Sequence, residues 1–446
     1  MDQQGRKSVC AIGSDPGESN YWCRRSARLG DRYRIPSERA GELPPTVDCA
    51  IVGGGITGLT AARALRLLGA SVALFEAQTA GWGASSRNGG MVLTGLKRSL
   101  TDMIARYGRE QAHRLFLASV EAVDVVERIV QDEHIDCDFH REGHLAAACK
   151  PTHYEALKRR QEVLYQELGY ETTLVPRCDL PAELRTDSYH GGLVDRRSAG
   201  LDPARYTAGL AAAAARHGVW ICEGITVQRI ERRPGGFALV TTRGPVRAGQ
   251  VLIATNAYTG YHAPQLAPWL RRRLIPIGSH IIATEPLGEH TARRLIPHGR
   301  MVFDTKNMLF YFRRTPDHRI LFGGRASFTP ASSRTTSRIL RQGMVGVFPE
   351  LAAARIEHAW SGLVGFTFDL EPHIGEDRGL HYAAGYCGHG VALATYLGER
   401  VANLLAGRPE DTPFLALPFP SPPAYRGRPW FLPLAGAYFR ALDLIR

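Results

Sequence analysis

Apolar positions along the chain first gather into a short run at 47–52, interrupted only by Asp48, that ends in Gly53-Gly54-Gly55. From about 56 to 68 the spacing becomes that of a helix. Residues 71–75 form a second apolar run that closes on Glu76. A buried strand, a glycine turn, a helix start and a second strand ending in an acid predict a dinucleotide-binding unit.

Further along, 101–132 reads as two helices, 139–148 as a strand containing Glu142-Gly143, and 154–168 as a polar amphipathic helix. Asp202-Pro203 starts another helix, with Asp202 as N-cap and Pro203 at the first helical position, and His217-Gly218 stops it. Strands are predicted at 220–222, 226–231, 237–242 and 246–250, then at 251–254, which ends in Thr255-Asn256-Ala257. Residues 274–285, 309–314 and 319–323 are strand-like and predict an antiparallel sheet in a second domain. A helix at 338–348 and strands at 358–366 and 381–385 follow. Gly385-Tyr386-Cys387-Gly388-His389-Gly390 then opens a long helix at 391–405, and Gly407 closes it.

The fold class is α/β: a two-domain chain with a Rossmann-like nucleotide domain and an antiparallel-sheet substrate domain. The expected divisions are a partly ordered extension at 1–45, in which Tyr21-Trp22 packs on the body, and nucleotide-domain segments at 46–148, 201–270 and 356–446. Substrate-domain segments are expected at 149–200 and 271–355, and the proline- and aromatic-rich tail from Pro413 is expected to pack on the surface.

Each residue of the first motif has a physical task. Gly53 permits the tight turn, Gly55 lets a pyrophosphate approach the backbone, and Gly58 lets the helix lie close to the sheet. The helix start at Ile56 and Thr57 aims free N–H groups and a positive dipole end at phosphates. Glu76, twenty-one residues past Gly55, is placed to accept hydrogen bonds from a ribose diol. The motif alone leaves FAD and NAD open.

Composition narrows the picture little. Hydrophobic residues make up 44% and charged residues 22% of 446, as in a soluble globular protein long enough for two or three domains. The net charge is +12, but the densest basic cluster is only Arg271-Arg272-Arg273 and no nucleic-acid motif appears, so no nucleic-acid partner is expected. Eight scattered cysteines without a CxxC pair suggest neither a disulfide framework nor a metal site. No 18-residue apolar run and no N-terminal apolar signal segment is seen, so no membrane span and a cytoplasmic location are the expectations.

The turn at 385–390 is the second chemical signal. A strand end, glycines and a helix start bring several N–H groups and a positive helix end to one point, which would stabilise the anionic pyrimidine end of a reduced flavin. Taken together, GGGITGL, FEA, GWGASSRNGG, IATNAY, WSGLVGFTFDLEPHIG and GYCGHGVALATYLGERVANLLAG resemble the FAD-dependent D-amino-acid oxidase superfamily, which includes glycine oxidase and sarcosine oxidase. Within it the likeness is to the gamma-glutamylputrescine oxidoreductases and covers nearly the whole chain from about Tyr21.

The resemblance implies that Gly53, Gly55, Ile56, Thr57 and Gly58 hold the FAD pyrophosphate, and Glu76 and Ala77 the adenosine ribose. It places Ala84, Ser85, Ser86, Asn88, Gly89 and Gly90 along the pyrophosphate and flavin edge, and Val227 at adenine. Ala254 and Thr255 pass beside the cofactor, and Gly388, His389, Gly390 and Val391 meet the flavin pyrimidine. Some sarcosine oxidases attach flavin to a cysteine before the segment matching Phe366-Thr367. Here Leu363-Val364-Gly365 contains none, so the FAD is expected to be non-covalent.

The implied activity is oxidation of the C–N bond of a small-molecule amine or amino acid by hydride transfer to flavin N5, followed by imine hydrolysis. Electrons pass to O2 or to another acceptor, and no side-chain acid, base or nucleophile is obligatory. Candidate substrate contacts are Tyr311, Arg313, Arg325, Trp360, Phe366 and His389, with Tyr311 and Arg313 two apart on one strand and therefore on the same side. A carrier-linked dehydrogenase, a non-catalytic dinucleotide-binding protein and a nicotinamide dehydrogenase are the alternatives.

Overall fold

The computed structural model describes residues 18–27, 43–324 and 332–445. Strand Thr46–Val52 lies in the middle of the first sheet, parallel to Val72–Glu76 on one side and Gly244–Ile253 on the other. Trp220–Glu223 extends the sheet beyond Val72–Glu76, and Leu380–Ala384 runs parallel to Gly244–Ile253. His373–Asp377 closes that edge in the antiparallel sense.

The two strands expected at 246–250 and 251–254 are one strand. Its first half alternates between buried and exposed residues because it pairs with Gly236–Thr241 in an antiparallel meander. Its last three residues are all buried because parallel strands flank them.

Helices Ile56–Leu67, Arg109–Asp132, Pro203–Arg216 and Gly390–Leu405 bury one face of this sheet in a single apolar core. The helix pair Ile56–Leu67 and Gly390–Leu405 approaches closely: a Cβ on Gly398 would come within 2.9 Å of the Thr57 carbonyl oxygen. Asp202 caps its helix as expected, accepting from the Ala204 and Arg205 N–H groups at 3.0 and 3.1 Å.

The second sheet has the order Ile356–Phe366, Ile275–Thr284, Ile320–Gly324, Phe310–Arg314, Met301–Asp304, His144–Ala147, Gly191–Asp195, Thr173–Pro176. It is antiparallel except where Met301–Asp304 pairs parallel with His144–Ala147, which corrects the expectation of a purely antiparallel sheet. His144–Ala147 enters after the chain has crossed from the first sheet, so no hairpin fixes its direction against Met301–Asp304.

Two expected divisions shift for the same reason of pairing. His144–Ala147 and Ile356–Phe366, assigned to nucleotide-domain segments from the sequence, belong to the second sheet. Only 144–147 of the expected strand at 139–148 is extended, because Asp138 and Gly143 turn with φ 51° and 78°.

Helix Ser333–Val347 covers the outer face of the second sheet through Leu340, Met344 and Val347. The inner face looks toward the first sheet. Tyr21 and Trp22 are buried against it, with Trp22 Nε1 donating to the Asn88 carbonyl at 3.0 Å. No helix among the described residues is long and apolar enough to cross a membrane.

Candidate functional site

Strands Thr46–Val52 and Leu380–Ala384 both run parallel to Gly244–Ile253, so the turns that follow them emerge at the same carboxyl edge of one sheet. The glycine turns at Gly53 and Gly388, distant in sequence, therefore open into one cavity of about 890 Å³. The helices that leave them, Ile56–Leu67 and Gly390–Leu405, begin at the cavity wall, so their positive ends face it, and neither N-cap residue bonds the first turn through its side chain. Tyr386 joins the two turns through a buried 2.6 Å hydrogen bond to Thr57 Oγ1.

The dinucleotide end is wired by short contacts. Ile56 N–H donates to Ser85 Oγ at 3.0 Å and Gly54 N–H to Glu76 Oε2 at 2.8 Å, which ties the glycine turn to the loop at Ser85 and to the end of the second strand. Gly53 holds φ 112°, and a Cβ on it would lie 2.8 Å from the Ala254 carbonyl oxygen. Asn88 braces its loop, donating to the Ala84 and Ser85 carbonyls at 3.1 and 2.9 Å and accepting from Gly90 N–H at 2.8 Å. Trp82, Tyr258 and His262 form a ring cluster on the cavity wall, with Trp82 5.7 Å from each of the other two. Asn256 is a joint: its Oδ1 accepts from Gly385 N–H at 3.0 Å, and any side chain at Gly365 would overlap it.

Most residues proposed from sequence line the cavity, among them Gly55, Glu76, Ser85, Val227, Thr255 and His389. Gly58, Ser86 and Gly90 do not. A Cβ on Gly58 would overlap the Gly53 carbonyl oxygen and one on Gly90 the Leu201 carbonyl oxygen, so both serve backbone packing. Ser86 is buried behind the loop.

Of the substrate candidates, Tyr311, Phe366 and His389 line the cavity. Arg313 shares the face of Tyr311 but is fully buried. Its Nη1 donates to the Leu201 and Gly90 carbonyls at 2.8 and 3.1 Å, and its guanidinium lies 5.6 Å from the Trp22 ring centre. Burial draws its pKa down to about 10. Arg313 is a strut of the glycine loop, not a clamp for substrate. Trp360 likewise is core, donating to the Arg87 carbonyl at 2.9 Å. Arg325 lies outside the described residues.

At the far end of the cavity, burial and the fields of Lys97, His144 and Arg160 push the His389 pKa down to about 3, so its imidazole is neutral at physiological pH. Burial holds His144, which contacts Ser198 Oγ at 2.8 Å, down at about 4. Cys387, at φ 50° in the turn, donates to the Gly385 carbonyl at 3.2 Å, and burial pushes its thiol up to about 12. Two helix starts, a glycine cradle and the Glu76 carboxylate at one cavity fit an adenine dinucleotide.

Residues 48–404 match the family described as FAD dependent oxidoreductase (DAO). The chain belongs to that family. It is an FAD-dependent oxidoreductase, and the Gly53 turn and Glu76 line its cavity. Gamma-glutamylputrescine oxidoreductase of Escherichia coli is 31% identical over 89% of this chain and 93% of its own. A probable oxidoreductase, OrdL, of Haemophilus influenzae is 33% identical over 85% and 88%. The fold matches the crystal structure of glycine oxidase from Geobacillus kaustophilus with a TM-score of 0.72 at 23% identity, covering 85% of this chain and 99% of that one.

Sequence reasoning missed Lys97 and Arg160, which line the cavity from a loop and from helix Pro151–Leu168, and also Phe431, Leu432, Ala435 and Phe439 of the tail. The tail was expected on the surface; instead it forms part of the cavity wall. Helix Leu432–Ile445 is latched by Asp443, which accepts from the Asn307 and Met308 N–H groups at 2.8 Å each. The aromatic density of the tail was a signal for this wall. Lys97 and Arg160 carried no signal, because only the fold turns them inward.

Proposed function

We propose that this oxidoreductase acts on the C–N bond of an amine or amino-acid-like substrate of the kind represented by gamma-glutamylputrescine, with FAD held non-covalently. The observation that carries the reading is that the cavity continues past the two glycine turns into a chamber walled by Ile277, Ser279, Phe303, Tyr311, Phe366 and Leu432.

Bound FAD supplies the hydride acceptor, and the imine left by C–N oxidation hydrolyses in water. The chain's part is to bind, orient and keep the site dry. Ile277, Phe366 and Leu432 exclude water, while the Tyr311 hydroxyl, 2.9 Å from Ser279 Oγ, offers a polar contact on the same wall. Lys97 and Arg160 place positive charge near His389, which favours the neutral, hydride-donating form of a nearby amine. The high thiol pKa of Cys387 keeps it un-ionised and non-nucleophilic, which supports the non-covalent reading.

The test is an anaerobic screen of the yellow holoenzyme for flavin bleaching by gamma-glutamylputrescine, putrescine, glycine, sarcosine, proline and D-amino acids. Bleaching by one of them is the expected result, and bleaching by none overturns the proposal. Peroxide yield under air, set against dye-linked turnover, separates oxygen from a carrier as acceptor. Acid precipitation should leave the flavin in the supernatant.

A further inference from the structure

Helix Leu432–Ile445 has two apolar faces. One meets the cavity through Leu432, Ala435 and Phe439. The other looks outward, and its exposed positions follow the helical period: Leu434, Ala437, Tyr438 and Ala441, with Trp430 and Pro433 extending the stripe at the helix start. Trp430, Leu434 and Tyr438 are 69%, 70% and 61% exposed, and they stand about one turn apart in a row. Single exposed apolar side chains are ordinary, but a contiguous stripe marks a surface that something covers.

The stripe is set in positive charge. Two segments come together here, 255–284 and 412–442, and neither contains an Asp or Glu, although the chain has 43 of them. They meet at Arg271, whose side chain runs past both Gly260 and Gly427: a Cβ on either would come within 2.8 and 2.5 Å of it. Arg272, Arg426 and Arg428 are exposed, and among the described residues none of the three has an ion pair. Exposed Arg440 adds a cation on the helix itself. The acid near the end of the helix, Asp443, is taken up by the Asn307 and Met308 N–H groups.

Two occupants would cover such a stripe: a lipid surface or a second copy of the chain. A symmetric pair would set the arginines of one copy beside those of the other, and each copy already carries a net charge of +12. An anionic lipid surface answers both features at once. Its headgroups pair with the arginines, while Trp, Tyr and Leu enter the boundary between headgroups and acyl chains.

We propose that the outer face of helix Leu432–Ile445 docks this enzyme on an anionic phospholipid surface, as a peripheral contact and not a span. Trp430, Leu434 and Tyr438 insert, and Arg272, Arg426, Arg428 and Arg440 hold the headgroups. The inner face of the same helix walls the cavity, so docking sets the cavity beside the lipid. The proposal is independent of which C–N bond the enzyme oxidises.

The experiment floats the FAD-loaded protein with vesicles of phosphatidylcholine alone and of phosphatidylcholine mixed with phosphatidylglycerol. Binding is expected to the anionic vesicles and should weaken as salt is raised. Leu434→Glu with Tyr438→Ser should weaken it about 100-fold. Arg426→Gln with Arg428→Gln should weaken it about 30-fold. Both double variants should keep their FAD and melting temperature, since all four side chains are exposed and lie outside the cavity wall. Trp430 fluorescence should shift to the blue on binding, and Trp430→Phe should lose that shift.

Equal binding to neutral and anionic vesicles, or binding to neither, overturns the proposal, and this comparison needs no variant to fold. Undiminished binding by Leu434→Glu with Tyr438→Ser overturns it as well. A dimer that forms with rising protein concentration and is broken by that same variant, with no vesicle binding, assigns the face to a second copy and overturns it too.

Discussion

The two ends of the cavity are built on different principles. At the Gly53 end the lining groups are mostly backbone: the glycine turn at Gly53 and Gly55, the chain at Ala254 and Thr255, and the start of helix Ile56–Leu67. At the far end they are side chains, Lys97, Arg160, Tyr311, Phe366, His389 and Leu432, brought from separate segments of the chain. A backbone cradle demands glycine at set spacings and so restricts sequence tightly. A side-chain chamber restricts only what fills it, so one scaffold can serve many substrates.

The first prediction breaks the backbone end. Gly58→Ala drives a Cβ into the Gly53 carbonyl and should cost about 4 kcal/mol, seen as loss of bound FAD and a lowered melting temperature. Next comes a test of Arg313 as a strut. Arg313→Met strands the Leu201 and Gly90 carbonyls and should cost about 3 kcal/mol of stability while leaving KM within about twofold. If Arg313→Met alters substrate preference instead, the reading of Arg313 as a strut is wrong.

Glu371, behind the turn at Gly385, is fully buried, and burial next to Asp369 lifts its pKa from 4.5 to about 8. The folded protein thus holds a proton that the unfolded chain has lost, so stability falls as pH rises from 4.5 towards 8. Glu371→Gln should flatten that slope and gain about 2 kcal/mol at pH 8, measured by urea denaturation across the pH range.

His144 and His389 act at the other limb. Their folded pKa values, about 4 and about 3, lie below the unfolded 6.5, so the unfolded chain takes up protons first and stability drops as pH falls below 6.5. Each should contribute about 1 kcal/mol per pH unit, and His144→Gln should remove one share. The smallest effect belongs to the latch. Asp443→Ala releases the Asn307 and Met308 N–H groups, should cost about 1 kcal/mol, and should raise KM while FAD stays bound.

How legible the molecule was follows the same division. Gly53, Gly55, Glu76 and the Asp202-Pro203 helix start could be read because turn chemistry and capping act over a few residues. Strands Met301–Asp304, Gly191–Asp195 and Thr173–Pro176 could not, since four or five residues carry too little alternation to show a period. Arg313 and Trp360 were placed on suitable strands, but a residue's position on a strand does not reveal whether it meets the cavity or the packed body beside it. Arg160 sits in a run of exposed charges, and nothing local distinguishes it from Arg159.

The neighbouring strands Thr46–Val52, Gly244–Ile253 and Leu380–Ala384 also set a timetable for the cell. During synthesis the first glycine turn leaves the ribosome long before its partner at Gly388 exists, and Leu432–Ile445 comes later still. Until then the apolar faces awaiting helix Gly390–Leu405 stay uncovered. A nascent chain that stalls late is therefore a cofactor-free, sticky species for chaperones and proteases to handle, and flavin supply at the moment of release should govern how much enzyme survives.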